Sequence, residues 1–516
     1  MRRIGFLGRA ALVAALAVAS GIATGLGFEP LGWWPLTMLG VLGLALATRR
    51  ARSLGRTAAV GLAYGLGLAG PSLVWMSAIN DAATVGLIVV MASWYGVLGA
   101  LLHFAHRTRW WPLLAAGSWA AVEFASATVP FGGFGWLRLA YGMVDSPLAG
   151  LLPLVGVAGL SFVTALVGNV VAWLALRRRR GALVMTLVVL AVVAAAAVAG
   201  DRIAPAPAHG SASVGWVQGG APGGGVYGLG PARTITTNQA KATEALAAEV
   251  SAGRAPEPDF VVWPENSTDL DPGTDAQTGD IVGSALDSIQ RPILVGAILD
   301  GPGPEQRRTA SLWTEPDGEV TDVYVKRSIV PFGEWIPFRD ILLPLIPDLR
   351  YVGAQSVAGT EPGLLDVELA DGTPLTLGTL VCFDVAFDPV VHDLADADLL
   401  VVQSSNAMYQ GTAQIEQQFA ITRARAAELR REVLVVTTSG VSGLIDPYGA
   451  VVSRDAGPGA AYGVEAMPLR SGATPATWLA RPLELAISSL TVVWLLGLAI
   501  ASRSRAWRKA SPASSG

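Results

Sequence analysis

Three side chains in this sequence could together move an acyl group. Glu265 follows the apolar run 260–263 as Trp263-Pro264-Glu265, Lys326 follows Val323-Tyr324-Val325, and Cys382 ends the run 377–382. Each is an ionisable group at the end of an apolar, β-rich run, where the active sites of open α/β sheets form. A thiol is a weak nucleophile until a base takes its proton or a cation steadies the thiolate. Acyl transfer also needs a fixed positive group for the tetrahedral oxyanion. Glutamate, lysine and cysteine supply base, cation and nucleophile without any histidine.

Taken singly, the residues have plainer readings. Cys382 inside an apolar run reads as a small buried filler, and Glu265 as a cap or surface acid. Lys326 resists that treatment. The chain uses 33 Arg against three Lys (Lys241, Lys326, Lys509), so a lysine directly before Arg327 points to a compact ammonium that fits a small oxyanion. Competing sites are weaker. Gly223, Gly225 and Gly228 match a dinucleotide fingerprint by letter, but Pro222 and the glycine excess favour a mobile loop. His392, ten residues past Cys382, reads as a surface or capping group rather than a thiol partner. Asp393, Asp396 and Asp398 read as a solvated face rather than a metal-ligand run, and the nucleophile-elbow pattern GxSxG is absent.

The elements that must position these groups divide the chain in two. Of 516 residues 52% are apolar and 15% charged, with 60 Gly, one Cys and a mean hydropathy of +0.47. Soluble domains run near 25% charged, which argues against an ordinary cytosolic enzyme. One thiol cannot form an internal disulfide, and four scattered His cannot build a zinc cluster. No metal, nucleotide or prosthetic group is implied. Net charge is −4, but residues 1–200 hold 14 basic and 4 acidic groups while 201–470 hold 17 and 35. A basic apolar part beside an acidic polar part is the division of a membrane protein with one large water-facing domain, and it lends nothing to nucleic-acid binding.

Apolar stretches long enough to cross about 30 Å of hydrocarbon are expected near 7–27, 31–48, 57–78, 84–105, 110–129, 150–176, 182–200 and 478–501. The first, after Arg2 and Arg3, also fits a cleaved signal peptide, although six further spans follow it at once. Basic groups fall at Arg2/Arg3, at Arg49, Arg50, Arg52 and Arg56, at Arg107 and Arg109, at Arg177 to Arg180, and at Arg503, Arg505, Arg508 and Lys509; the alternate loops carry Glu29, Asp81 and Asp145 with only Arg138. The positive-inside rule then places both termini in the cytoplasm, with the long segment between spans seven and eight outside the cytoplasmic membrane. The expected division is a membrane domain 1–204, an extracytoplasmic domain 205–470, and a last span with a basic tail, 471–516. The outer segment alternates β-rich runs (213–217, 260–263, 293–298, 323–325, 377–382, 399–403, 433–438) with polar helical stretches at 234–251 and 412–431, which predicts a layered α/β domain. Gly and Pro clusters at 204–207, 219–230, 301–304 and 471–475 mark its loops and edges.

The order of Trp-Pro-Glu at 263–265, then KRSIVPFGEWIPF at 326–338, then a cysteine at a strand end resembles the nitrilase (carbon–nitrogen hydrolase) superfamily. With seven spans before and one after, nearly the whole chain is similar to the bacterial apolipoprotein N-acyltransferases; WAAVEF from Trp119, FGGFGW ending at Trp136, and Ser405-Asn406 fit as well. The resemblance implies an αββα sandwich on an eight-helix membrane base. It implies Glu265 as general base, Lys326 as oxyanion-stabilising lysine, Cys382 as acyl-accepting nucleophile, and Glu334 as a supporting second glutamate. Asp384 and Asn406 join as supporting residues, and Tyr227, Tyr409 and Phe383 as candidates for a lid or substrate contact. Many members follow the nucleophile with Tyr-Glu where this chain has Phe383-Asp384. It also has Gly220 where Asn is common, Tyr227 in place of a Trp, and Met408, Tyr409 and Gln410 in a loop that is more aromatic elsewhere. The activity implied is phospholipid-dependent N-acylation of a diacylglyceryl-cysteine lipoprotein terminus through a thioester, by an integral membrane monomer. A membrane-tethered amidase or hydrolase, and a non-catalytic lipoprotein-binding scaffold, are the alternatives.

Overall fold

The computed structural model describes residues 2–51, 53–177, 179–226 and 228–510. Arg52, Arg178 and Tyr227, all singled out above, lie outside the described residues. Two compact units result: Met1–Val74, Thr84–Gly200 and Leu479–Gly516 form one, and Trp75–Ala83 with Asp201–Trp478 form the other.

The first unit is helical. It contains α1 (Arg2–Gly25), α2 (Trp34–Arg50), α3 (Leu54–Leu73), α4 (Asp81–Ala105), α5 (Trp111–Ser126), α6 (Leu152–Arg177), α7 (Arg180–Asp201) and most of a C-terminal helix, Pro475–Ala510. All eight apolar stretches therefore fold as helices. Six of them are long and apolar enough to cross a membrane; α2 and α5, at 17 and 16 residues, are shorter. Each of these two starts late, at a Trp-Pro pair (Trp34-Pro35, Trp111-Pro112), because proline is at home only in a first helical turn. Small residues let helices approach closely: a side chain at Gly21 would strike the Tyr64 backbone of α3, and one at Gly67 the Val18 backbone of α1. Arg138, the only basic group in the alternate loops, is buried and ion-paired at 2.7 Å to Glu484, with Glu123 3.7 Å away. Its charge is used inside the helical unit, which explains why it breaks the loop pattern.

The second unit runs β1 (Gly210–Gln218), α8 (Thr234–Ser251), β2 (Phe260–Val262), α9 (Ala276–Ile289), β3 (Ile293–Asp300), β4 (Gln306–Thr314), β5 (Val320–Val325), α10 (Arg339–Leu345), β6 (Gln355–Ser356), β7 (Leu364–Glu368), β8 (Pro374–Val381), α11 (Asp388–His392), β9 (Leu399–Ser404), α12 (Ala413–Leu429), β10 (Val433–Thr437), β11 (Gly440–Ile445), β12 (Asp455–Gly457) and β13 (Ala461–Leu469), before the C-terminal helix α13 begins. One sheet has the order β13-β1-β2-β3-β4-β5, with β6 on β4; the other has β12-β11-β10-β9-β8-β7. In each, three central strands are parallel, β1-β2-β3 and β8-β9-β10.

Side-chain alternation builds the layers. Val214, Trp216, Phe260, Val262 and Leu294 point between the sheets, where they meet Leu377, Val381, Leu399, Val401 and Leu434. Their neighbours Val217, Val261, Trp263, Ile293 and Val295 point the other way, onto Leu246 of α8 and Val282 and Leu286 of α9. Strands buried on both faces read as unbroken apolar runs, as 260–263 and 399–402 do. With α12 on β10 and β11, the arrangement is an αββα sandwich.

Candidate active site

The parallel strands of both sheets end on the same edge, and the singled-out residues stand there. Glu265 lies three residues past β2, Lys326 directly follows β5, Cys382 directly follows β8, and Ser405 directly follows β9. The approach to Glu265 is rigid: Trp263 is fully buried, donates Nε1–H to Thr243 Oγ1 at 2.9 Å, and accepts from Gln403 Nε2 at 2.5 Å.

Glu265, Lys326 and Glu334 form one buried chain of contacts. Lys326 Nζ donates to Glu265 Oε1 and to Glu334 Oε1, each at 2.8 Å. The second Glu265 oxygen accepts from Ser405 N–H at 3.0 Å, and the second Glu334 oxygen from Val330 N–H at 2.7 Å. Burial alone would lower the ammonium pKa; the carboxylates of Glu265 and Glu334, with smaller help from Cys382 and Asp384, hold it well above the ordinary lysine value. Lys326 is therefore charged at neutral pH.

Cys382 sits on a sharp turn with φ = +50°, a left-handed conformation that a non-glycine residue keeps only when its surroundings impose it. Asp384 imposes it. Fully buried, it accepts from Tyr324 Oη at 2.8 Å and Val381 N–H at 3.1 Å through one oxygen, and from Ser328 N–H at 2.8 Å through the other. Burial pushes the Cys382 thiol up to about 12; Glu265 adds to the rise, while Lys326 and the Ser404 hydroxyl oppose it. The resting sulfur is a neutral thiol beside a carboxylate and an ammonium.

The remaining expectations divide. Asn406 is buried at φ = +52°, directly after the Ser405 amide that holds Glu265, and its Oδ1 has no hydrogen-bond partner among the described residues. Tyr409 follows in the same loop, its phenol pKa raised first by burial, then by Cys382 once that thiol ionises, and by the carboxylate of Glu334. Phe383, expected at a lid, is instead packed inside: 3% exposed, its ring meets Phe387 edge-on at 4.9 Å. The turn leaves Cys382 partly buried at the margin of the core and sends the next side chain fully into the interior. His392 pairs with Glu428 Oε1 at 2.9 Å rather than with the thiol. Asp393 pairs with Arg327 and Asp398 with His209.

Sequence reading missed the polar layer beneath the site. Gln403, fully buried in β9, reaches across the sandwich to the carbonyls of Trp263 (2.5 Å) and Leu294 (3.2 Å) and also meets Ser311 and Thr379. Its signal was a lone glutamine closing the apolar run Leu399-Leu400-Val401-Val402, where an amide must find partners to be buried. Trp75, far away in the sequence, gave no such signal.

Comparison with known proteins agrees with both halves of the chain. The apolipoprotein N-acyltransferase N-terminal domain family matches residues 20–171, and the carbon-nitrogen hydrolase family matches residues 290–460. An apolipoprotein N-acyltransferase of Mycolicibacterium smegmatis is 32% identical over 97% of this chain and 87% of its own length. One of Photobacterium profundum is 26% identical over 85% of this chain and 86% of its own. Among solved structures, a mutant of the Nesterenkonia AN1 amidase from the nitrilase superfamily aligns at 17% identity with a TM-score of 0.37, over 52% of this chain and 93% of that one.

Proposed function

The chain belongs to the apolipoprotein N-acyltransferase family, and on that premise we propose that it carries a fatty acyl chain from a phospholipid, through a thioester on Cys382, to the α-amino group of a lipoprotein's N-terminal diacylglyceryl-cysteine. The observation that carries this reading is Lys326 Nζ held between Glu265 and Glu334 at 2.8 Å each, with a neutral thiol on a left-handed turn beside them.

In the first half-reaction Glu265 takes the thiol proton as sulfur attacks the ester carbonyl. Two of the three Lys326 N–H groups serve the glutamates, so the third is available, with a backbone N–H of the Cys382 turn, to stabilise the oxyanion. The C–O bond breaks, the lysophospholipid oxygen takes the proton from Glu265, and the thioester remains. In the second half-reaction the amine attacks the thioester and Glu265 takes its proton. The C–S bond breaks, the sulfur regains that proton, and the amide is released. Glu334 takes no proton; it keeps Lys326 placed and charged.

The basic loops support a cytoplasmic-membrane location with both termini inside and the second unit outside. Mass spectrometry of lipoprotein N-termini, from cells with and without the chain, tests the reading. The N-acyl group should disappear without the chain and stay absent when Cys382→Ala is supplied. Free fatty acid released with no amide formed would instead mean hydrolysis, and N-acylation by Cys382→Ala would sink the mechanism.

A further inference from the structure

Nine residues after α3, Trp75–Ala83, the last three of them the start of α4, fold as part of the second unit. Within that unit they reach three loops. Trp75, 6% exposed, donates Nε1–H to Gln417 Oε1 of α12 at 3.0 Å and sets its ring edge-on to Tyr409, with centroids 5.3 Å apart and planes at 89°. The Ala78 carbonyl lies 3.3 Å from where a Cβ on Gly225 would stand. Asn80 Nδ2 donates to Asp348 Oδ2 at 3.4 Å, in the segment after α10. Two of the three loops are also joined directly, by Gly225 N–H to Met408 O at 2.8 Å.

Tyr409 is the member of this group nearest the chemistry. Its turn starts at Asn406, immediately after the Ser405 amide that binds Glu265, and its phenol lies within electrostatic reach of Glu334 and Glu265. The hydrogen bond and ring contact of Trp75 hold α12 and the Tyr409 ring beside the site. An aromatic ring held edge-on by a neighbour that is itself hydrogen-bonded offers a preformed apolar wall, and preformed walls favour binding of apolar groups by avoiding ordering on binding.

We propose that Trp75 is a positioning residue: through its edge contact with Tyr409 and its bond to Gln417 it sets the wall of the cleft that receives the fatty acyl chain, and so governs selection of donor chain length. This rests on the acyltransfer reading above. Because Trp75 supports the wall and not the sulfur, its loss should act on binding of long chains more than on turnover.

The experiment uses the full-length protein in detergent micelles with two donors, dipalmitoyl- and dihexanoyl-phosphatidylethanolamine, and a diacylated lipopeptide acceptor. Trp75→Ala should raise KM for the dipalmitoyl donor about tenfold with kcat within about threefold, and move KM for the dihexanoyl donor by no more than about twofold, the split that marks lost uniform binding. Trp75→Phe, which keeps an edge contact but no N–H, should lie between. Iodoacetamide labelling of Cys382 should be unchanged, which a general structural defect would not allow. If Trp75→Ala does not fold, Trp75→Phe and Gln417→Leu carry the same comparison. Equal losses for both donors, or a fall in kcat alone, overturn the proposal. A wild-type protein that forms no acyl-enzyme with either donor would instead overturn the acyltransfer reading itself.

Discussion

The Tyr324 hydroxyl donates to Asp384 at 2.8 Å, and by this bond the strand that leads into Lys326 is fastened to the turn that bears Cys382. Ser328, two residues beyond Lys326, donates to the other oxygen of the same carboxylate. One buried aspartate thus clamps the chain on both sides of the ammonium and holds the sulfur's turn in its left-handed shape. A family pattern with glutamate here would reach one methylene further; the aspartate succeeds because Tyr324 and two backbone amides come to it.

Tyr324→Phe removes one donor from that carboxylate and leaves its packing. Stability should fall by about 1–3 kcal/mol, the range for a buried polar group left short of a partner. Acyl-enzyme formation should slow by roughly 10–100-fold, because sub-ångström misplacement of a nucleophile is that damaging. Thermal unfolding in detergent and single-turnover acylation check the two effects. An unchanged acylation rate would show that the clamp is dispensable.

Glu265 gives a sharper test because its two effects on Cys382 oppose each other. Its charge helps push the thiol up to about 12, so the thiol stays protonated through neutral and mildly alkaline pH, and labelling by iodoacetamide should climb steadily between about pH 7 and 10 with no plateau near the ordinary thiol value of about 8.5. Glu265→Gln removes that charge, so its labelling curve should move to lower pH while acyl transfer falls by at least about 100-fold for want of a base. A variant with more thiolate and less turnover separates base from field. A labelling curve moved to higher pH would contradict the electrostatic argument.

Glu265 and Cys382 were legible in the sequence because each follows a strand that is largely buried on both faces, and such strands announce themselves as apolar runs; Lys326 follows β5, whose residues lie mostly toward solvent, and stood out as one of three lysines against 33 arginines. The helix Thr234–Ser251 was legible to the residue. β4 was not: it opens Gln306-Arg307-Arg308, which lie toward solvent, and its six buried residues include Thr309, Ser311 and Thr314, so no apolar run marks a strand that pairs along its length with β3. β11 is wholly buried but spelled with Gly440, Ser442 and Gly443, small residues that suit close packing and carry little β signal. The role of Trp75 was illegible for another reason. Its hydropathy fits the apolar stretch 57–78 that contains it, while its partners Gln417 and Tyr409 lie more than 300 positions away.

His392 was set aside as a thiol partner, and its actual partners predict a pH effect on stability. Burial would lower its pKa, but Glu428 and then Asp388 outweigh burial and Arg425 and raise it above 6.5. A raised folded-state value means that the pairing contributes fully below about pH 6.5 and is lost as pH rises through the folded value. Arg425, in the same cluster, donates to Glu428, to Asp388 and to the Val385 carbonyl of the Cys382 turn. The wild-type unfolding midpoint should therefore fall as pH rises above about 6.5, and His392→Gln should flatten that slope. Parallel curves for the two proteins would refute the assignment.

The helical unit carries its own buried charge network, and its parts should not act additively. Arg138 bonds Glu484 at 2.7 Å, while Glu123 accepts from Trp119 Nε1 at 3.0 Å and Leu139 N–H at 2.8 Å beside the same guanidinium. Arg138→Met leaves Glu123 buried without its nearest cation and Glu484 with only the more distant Arg481, 3.5 Å away, which costs about 3–5 kcal/mol and should appear as a large loss of folded protein in detergent. Adding Glu123→Gln and Glu484→Gln removes the uncompensated charges, so the triple variant should regain most of that stability. Recovery in the triple but not in either double variant would establish that both carboxylates depend on Arg138. A triple variant no better than Arg138→Met would mean that the arginine acts through packing of its stem, not through its charge.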